Sequence, residues 1–444
     1  MITSGTEPVP TVALETHGCK LNQADSSVLA AEFVAAGFRL VDSHEPADVY
    51  LVNTCTVTHV ADRKARQALR AARRRNPDAT VVATGCYAQR APEALKSLDE
   101  VDFVAGNFEK AGLVRKIIEW RKQSVTPCAE GTEVVERVGR NRAVVKIQEG
   151  CDQVCAYCIV PKVRGRERSI SAADIVRMIE RHTTAGYKEI VLTGTQLGSY
   201  GFDLSDIDLT GLLRRILAQT KVPRIRVSSV QPHEIDRGLL ELWVDPRLCP
   251  HFHLALQSGS DTILQRMRRQ YTAREYLETA ELVRDTVPGA SLTTDVIVGF
   301  PGETPEDFEE TYALCDLVAF ASMHVFPYSP RPGTSAAHFS GHVDAATKSQ
   351  RVGKLIDLSS QHAYEFRRRS LGSTRPVLWE DRRRQNGTDQ WVGLTDNYIR
   401  VVAESDEPLR NRITPARLVD QRSELVVAEV DSNSFDGSKT AWRA

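Results

Sequence analysis

Three cysteines, Cys151, Cys155 and Cys158, fall within the stretch EGCDQVCAYCIVPKVRGRERS with the spacing C-x3-C-x2-C. Thiolates are soft donors that suit zinc or an iron–sulfur cluster. A closed tetrahedral site needs four ligands, so the loop is one short. Two arrangements meet that count. One is half a zinc site completed elsewhere, by Cys128, Cys249 or a histidine. The other is an iron–sulfur cluster with one position left for another group. The spacing is uncommon for zinc, which favours the cluster.

A second set is spread further along the chain. Cys19, Cys55 and Cys86 close the stretches ETHGC, LVNTC and VATGC, each at the end of a strand-like run. Successive members are 36 and 31 residues apart, about one βαβ unit each. If the three strands are neighbours in a parallel sheet, all three thiols emerge at its carboxyl edge, where open α/β sheets bind ligands. An iron–sulfur cluster or zinc would suit three converging thiolates. Three small buried hydrophobes are the alternative.

These placements require particular elements. Up to about residue 121, strand patterns (TVALETHGC, ADVYLVNTC, ATVVATGC) alternate with helical ones (SSVLAAEFVAAGF, VADRKARQALRAARRR). That alternation predicts an open, mostly parallel α/β sheet. A polar stretch at about 123–141 reads as a linker. From about 142 to 369, six strand patterns (AVVKIQ, EIVLTG, RIRVSS, HFHLAL, LTTDVIVGF, ASMHVFPY) alternate with helices. They predict a partial (β/α) barrel, with the cysteine loop after its first strand, at the mouth. Short β-rich runs after RRRSLGSTRP predict a small β-barrel, and the tail SNSFDGSKTAWRA is expected to fray. In the helix after Cys55, Arg63, Arg66, Arg70, Arg73 and Arg74 share one face at about 100° per residue, fit for phosphate contact or for plain solvation. RMRRQ and RGRER are similar basic runs near the expected mouth, and Arg164 or Arg166 could instead pair with a ligand carboxylate.

The 444 residues exceed one compact core, so two or three domains are expected. The formal net charge of −1 confines any nucleic-acid footprint to a local patch. No apolar run reaches the roughly 18 residues of a membrane span, so no membrane is expected as a partner. MITSGTEPVP has neither a basic nor an apolar leader region, which argues against secretion. Nine cysteines without disulfide-framework spacing point to the reducing cytoplasm and to metal or redox chemistry.

The loop, with Tyr157 before its last cysteine, resembles the radical S-adenosylmethionine (SAM) superfamily. HGCKLNQADS, VNTCTVTHVADRKARQALR and TGCYAQ resemble the N-terminal domain of methylthiotransferases. TGTQLGSYG, RIRVSSVQPHEI, LALQSGSDTILQRMRRQYT, TTDVIVGFPGET and HVFPYSPRPGTSAA resemble their barrel motifs, and the C-terminal piece resembles the RNA-binding TRAM barrel. The N-terminal motifs are similar to the MtaB-type subgroup.

The resemblance implies domains at 10–122, 137–368 and 370–437. It implies two 4Fe-4S clusters and SAM as cofactors. Cys151, Cys155 and Cys158 would hold the cluster that binds SAM, and Cys19, Cys55 and Cys86 an auxiliary cluster carrying the sulfur to be donated. Tyr157 would pack near the adenine of SAM. Gly194, Thr195, Ser228, Ser229, Gln257 and Gly299 would face SAM. TGTQ stands where a Gly-Gly-Glu motif is usual. Cys128, Cys249 and Cys315 match no ligand position and are expected to be structural. The implied reaction adds a methylthio group to C2 of N6-threonylcarbamoyladenosine at position 37 of tRNA. The implied partners are the tRNA anticodon loop and an external electron donor such as flavodoxin or ferredoxin. Isopentenyladenosine of tRNA or a ribosomal-protein side chain are alternative substrates. A zinc-stabilised, non-enzymatic RNA-binding protein is the more distant alternative.

Overall fold

The computed structural model describes residues 9–121, 141–385 and 388–430. The expected linker, apart from Asn141, the expected frayed tail and Cys128 lie outside the described residues. The chain divides into two compact units. The first joins the N-terminal region to Glu149–Glu167 and Ser329–Ala337, and the second holds the remainder.

The first unit is built on a five-stranded sheet in the order β2-β1-β3-β4-β5, parallel throughout. Its strands are β1 (Thr11–Thr16), β2 (Arg39–Val41), β3 (Val49–Thr54), β4 (Thr80–Gly85) and β5 (Phe103–Ala105). The helices are α1 (Lys20–Ala35), α2 (His59–Arg75), α3 (Cys86–Arg90), α4 (Pro92–Lys96) and α5 (Leu113–Arg121). Strands β3 and β4 are buried along their whole length, as expected for central parallel strands covered on both faces. Side chains alternate across the sheet. Tyr50, Val52, Val81 and Ala83 pack with Ala65, Ala68, Leu69 and Ala72 of α2. Val49, Leu51 and Val82 pack with Leu29 and Phe33 of α1 and Leu113 and Ile117 of α5. Thr58 caps α2, its Oγ1 accepting from the Ala61 N–H at 3.1 Å. The predicted open α/β sheet is present, and the strands before Cys19, Cys55 and Cys86 are neighbours in it.

In sequence, β6 (Arg142–Lys146) and the short β7 (Gln148–Glu149) precede the cysteine loop. Helix α6 (Val160–Arg164) and the short β8 (Arg168–Ser169) follow it. The second unit contains α7 (Ala172–Thr184), β9 (Glu189–Thr193), α8 (Leu209–Gln219), β10 (Arg224–Val227), β11 (Ser229–Val230), α9 (Arg237–Leu240) and β12 (His251–Leu254). Then come α10 (Asp261–Arg266), α11 (Ala273–Thr286), β13 (Ser291–Val298), α12 (Pro305–Val318), β14 (Ser322–Pro327) and α13 (Ala345–Ser370). The strands form two parallel sheets, β10-β9-β6 and β11-β12-β13-β14, and the chain passes from one to the other at Ser228. All six predicted strands are present, and among the described residues no pairing joins β14 to β6, so the (β/α) array stays open. Cys249 and Cys315 are fully buried, as expected of structural thiols.

Strands β15 (Thr374–Gln385), β16 (Thr388–Thr395), β17 (Arg400–Glu404), β18 (Ile413–Arg422) and β19 (Leu425–Val430) close into a barrel in the order β15-β16-β17-β19-β18. The barrel docks at the first residues of β6, β9 and β10, which are in register: Arg142, Glu189 and Arg224. Arg224 donates to the Leu394 and Thr395 carbonyls at 3.1 and 2.9 Å, and Arg226 to the Asp396 carbonyl at 3.0 Å. Both arginines hold Glu189, at 2.8 and 2.9 Å. Burial pushes the Glu189 carboxyl upward, but Arg226 and Arg224 outweigh it and hold the group down at about 2. The barrel thus anchors at the amino ends of the strands and leaves their carboxyl ends, where (β/α) folds place chemistry, uncovered by this contact.

Candidate cluster sites

Cys19 immediately precedes α1, Cys55 follows β3, and Cys86 opens α3. Their approach depends on two glycines. Gly18 has φ +93°, and a Cβ there would stand 2.7 Å from the Cys55 Cβ and 2.8 Å from its Sγ. Gly85 has φ +96°, and a Cβ there would meet the Thr54 carbonyl at 2.4 Å. Only glycine meets both the left-handed backbone and the close approach. Buried amides lace the loops together. Asn22 donates to the carbonyls of His17 (2.7 Å) and Thr54 (3.0 Å), and Asn53 donates to the Asn22 carbonyl (2.9 Å). Asn107 reaches the Cys86 Sγ at 3.4 Å and the Val163 carbonyl at 2.8 Å.

Burial pushes the Cys55 thiol up to about 12, the N–H groups of Val57 and Thr56 pull it down, and charge on Cys19 and Cys86 raises it again. Three thiolates this close are therefore not stable side by side without a cationic group between them. A metal centre supplies that charge, and binding it releases the protons. Among the described residues no group of three or more His, Cys, Asp or Glu side chains could hold a single metal ion. A single zinc ion would draw its thiolates to about 3.8 Å of one another, the tetrahedral edge for bonds of about 2.3 Å. A polynuclear cluster spreads its ligands more widely, which suits three thiols brought in from the ends of three adjacent strands.

The Cys151–Cys158 loop belongs to the same compact unit. Gly150 has φ +79°, and a Cβ there would stand 1.9 Å from the Arg166 carbonyl oxygen. The loop closes through Cys151 N–H to the Gly165 carbonyl (3.1 Å) and Cys158 N–H to the Cys155 carbonyl (3.1 Å). Ala336 N–H bonds the Ala156 carbonyl at 2.8 Å. Cys151 is buried, which pushes its thiol up to about 11, whereas Cys155, Cys158 and Tyr157 are half-exposed. Three thiols on one turn, two of them reaching solvent, leave room for an outside group to approach.

Arg164 is buried and bonds three residues on two elements: Asp25 at 3.0 Å, Glu149 at 2.7 Å and Asn22. Lys110 joins Asp25 at 2.7 Å. Burial opposes the charge on Arg164, but Cys86, Asp25, Cys19 and Glu149 sustain it. Arg164 is thus committed to tying the loop to α1, so of the two arginines expected to reach a ligand carboxylate only Arg166, largely exposed and 3.3 Å from Asp152, stays at the surface.

In the second unit, Gly194 and Thr195 follow β9. The Gln148 Oε1 accepts the N–H groups of Thr195 and Gln196, both at 2.9 Å, and the Thr195 hydroxyl is buried without a partner among the described residues. Ser228 is buried, and Ser229 is exposed on β11. Gln257 holds φ +69° between β12 and β13, an uncommon backbone for a non-glycine residue of the kind that gathers at functional sites. Gly299, also at φ +69°, admits Lys348, whose Cγ lies 2.4 Å from where a Cβ would be. Its glycine is thus explained by packing within the unit. Sequence reasoning missed the set at TGTQ. Gln196 donates to Glu234 and accepts from Gln231, and Arg269 donates to Gln231 at 2.8 Å. A carboxylate is therefore present beside Gln196, supplied by a residue 38 positions on.

The arginine face of α2 is less uniform than its periodicity suggests. Arg66 donates to the Tyr87 hydroxyl at 2.8 Å. Arg73 donates to the Pro77 and Ala79 carbonyls and to Asp102, and Arg70 lies 3.5 Å from Glu100. Arg63 and Arg74 remain exposed. In RMRRQ, Arg266 donates to the Pro301 carbonyl and Arg269 is held by Gln231 and Tyr271, so that run is largely structural.

Residues 11–106 match the model of "Uncharacterized protein family UPF0004", and residues 145–315 match that of the radical SAM superfamily. The chain is 37% identical to the threonylcarbamoyladenosine tRNA methylthiotransferase MtaB of Bacillus subtilis, over 92% of this chain and 94% of that protein. It is 40% identical to the MtaB of Aquifex aeolicus, over 88% and 96%. It is 35% identical to the tRNA-2-methylthio-N(6)-dimethylallyladenosine synthase of Dictyoglomus thermophilum, over 95% and 100%. Among solved structures, the radical S-adenosylmethionine methyltransferase TsrM of Kitasatospora setae shares the fold, with a TM-score of 0.53 at 16% identity over 72% of this chain and 76% of that one. Two cysteine sets, each held by glycines that nothing larger can replace, occur here in a chain that aligns with these relatives almost end to end: the protein belongs to the radical SAM methylthiotransferase family.

Proposed function

We propose that the protein is a transferase that adds a methylthio group to C2 of N6-threonylcarbamoyladenosine at position 37 of tRNA. Convergence of Cys19, Cys55 and Cys86 at the carboxyl edge of adjacent strands carries the reading, because sulfur transfer needs a second metal centre besides the one that SAM binds. The substrate follows from the relatives at 37–40% identity, which carry the threonylcarbamoyladenosine name. Dimethylallyladenosine, the nucleoside named for relatives at 35%, is the alternative.

In this reading residues 10–122 form the auxiliary-cluster domain, 137–368 the radical SAM domain and 370–437 the RNA-binding barrel. Cys19, Cys55 and Cys86 hold one 4Fe-4S cluster, and Cys151, Cys155 and Cys158 the other, whose remaining position takes SAM. When bound, the clusters and SAM supply the radical and the sulfur. The chain's own residues do the rest. Tyr157 packs beside the adenine of SAM. Gly194 and Thr195, with Ser228, Ser229, Gln257 and Gly299, line the ends of the strands that receive it. Arg164 fixes the loop to α1. An anticodon-loop base is recognised unpaired, which exposes its edge to such a site. Flavodoxin or ferredoxin supplies electrons, and the cytoplasm is the place of action. Among the described residues no helix is long and apolar enough to cross a membrane.

Anaerobic iron and sulfide analysis tests the reading. About eight of each per chain is the expected result, from two clusters. Replacing Cys151, Cys155 and Cys158 with Ala halves the iron and abolishes SAM cleavage. Replacing Cys19, Cys55 and Cys86 removes the other half and spares reductive SAM cleavage. Zinc in place of iron after anaerobic reconstitution contradicts it.

A further inference from the structure

Arg331 lies in the Ser329–Ala337 segment of the first unit and is only 2% exposed. Its Nη2 donates to the Asp62 Oδ2 at 2.6 Å, with the His59 Nδ1 at 3.5 Å. Its Nε and Nη1 are buried and have no partner among the described residues. Three of the five N–H bonds of a guanidinium are therefore unsatisfied. A buried donor without a partner carries the full cost of its desolvation, and more so when charged.

The surroundings sharpen the point. Asp62 is shared: its Oδ2 also accepts Arg90 at 2.9 Å, and its Oδ1 accepts the Thr56 hydroxyl at 2.6 Å. Arg90 is further held by the Thr56 Oγ1 at 2.7 Å. Two guanidiniums thus answer to one buried carboxylate, and one positive charge is left over. Thr56 is the neighbour of Cys55 in the chain, so the Arg331–Asp62 pair reaches the Cys55 loop through the Thr56 hydroxyl. A surplus buried cation with three idle donors, one carboxylate away from the residue that follows a soft-metal ligand, is the chemistry of an anion site.

We infer that Arg331 is a positioning residue for a small sulfur anion, hydrosulfide or methanethiolate, held at the Cys55 side of the auxiliary site. The inference rests on the reading of Cys19, Cys55 and Cys86 as ligands of a sulfur-carrying cluster. Arg331 supplies the charge and the hydrogen bonds that hold the anion, and Asp62 and Arg90 fix the guanidinium in place. No bond to carbon forms or breaks at Arg331.

The test uses the full-length protein with both clusters reconstituted and SAM at saturation, so that the loop cluster is occupied. The reduced protein is titrated separately with sodium hydrosulfide and with sodium methanethiolate. Binding is read from the electron paramagnetic resonance signal. Removing a charge-assisted partner weakens binding by about ten- to a hundredfold, the effect expected for Arg331→Gln. Arg331→Lys keeps the charge but has fewer directed donors, and is expected to weaken binding by about three- to tenfold. The anion that responds identifies which species the site takes. Wild-type affinity for both anions in an iron-replete Arg331→Gln protein overturns the inference. If that variant loses its auxiliary iron, Arg331→Lys decides, and wild-type affinity there overturns it equally. If the wild-type protein with full iron binds neither anion, the sulfur-carrier reading itself falls, and the inference with it.

Discussion

Gly18→Ala tests whether the auxiliary site is built by backbone approach. Gly18 sits at φ +93°, and forcing an L-residue into the left-handed region costs roughly 1–2 kcal/mol. The new Cβ would stand 2.7 Å from the Cys55 Cβ and 2.8 Å from its Sγ. Ordinary contact between carbon atoms begins near about 3.5 Å, so Cys55 must withdraw by close to an ångström. Metal ligation tolerates only about 0.2 Å of error. The backbone cost alone leaves the domain folded, while the displaced thiol no longer ligates. The expected result is selective loss of one cluster, with iron falling from about eight to about four per chain and SAM cleavage retained. Gly186→Ala is the control. Its φ is +90° but an added Cβ meets nothing within 4 Å, so it carries the same strain without the clash and keeps its iron. Full iron in Gly18→Ala, or equal loss in both variants, would refute the reasoning.

Three other outcomes are open to measurement. Glu189→Gln should destabilise the second unit by about 3 kcal/mol at neutral pH, from a carboxyl held at about 2 instead of 4.5 and about 1.4 kcal/mol per unit. Because the folded value is depressed, that stability is present above pH 4.5 and fades as pH falls toward 2. The gap between wild type and variant in urea unfolding should therefore narrow below pH 4.5, and a gap independent of pH contradicts the ion-pair origin. Arg63→Glu with Arg74→Glu should weaken tRNA binding and reduce its salt slope by about 1.5, whereas an unchanged slope removes that face of α2 from the interface. SAM added to the reduced protein lacking Cys19, Cys55 and Cys86 should alter the paramagnetic resonance signal of the remaining cluster, and no change at saturation argues against direct coordination there.

The sequence was most informative where a property recurs along the chain. The spacing of Cys19, Cys55 and Cys86 matched βαβ units, and each follows a strand of one parallel sheet. The six strands of the (β/α) array and the runs of the final barrel were readable from alternation and turn residues. Partnerships across long separations were not. The arginine face of α2 looked continuous at 100° per residue, yet Arg66 and Arg73 are held by Tyr87 and Asp102, which no i+4 rule reaches. Arg331 follows Asp62 by 269 residues, and nothing in HVFPYSPRPGTSAA marks it as buried against that carboxylate. The roles of Gly18 and Gly150 appear only once the approaching backbone is known. The close grouping of the cysteine loop with the N-terminal sheet comes from side chains such as Arg164 and Asn107, not from proximity in sequence.

Mass spectrometry of nucleosides from digested tRNA tests the central claim most directly. Purified protein, SAM, a reductant and a sulfide source are incubated with tRNA that carries N6-threonylcarbamoyladenosine at position 37, and in parallel with tRNA that carries isopentenyladenosine. The expected product is the 2-methylthio form of the threonylcarbamoyl nucleoside, formed only on the first substrate and lost when Cys19, Cys55 and Cys86 are replaced. The methylthio mass on isopentenyladenosine alone, or on neither tRNA with both clusters intact, would contradict the account.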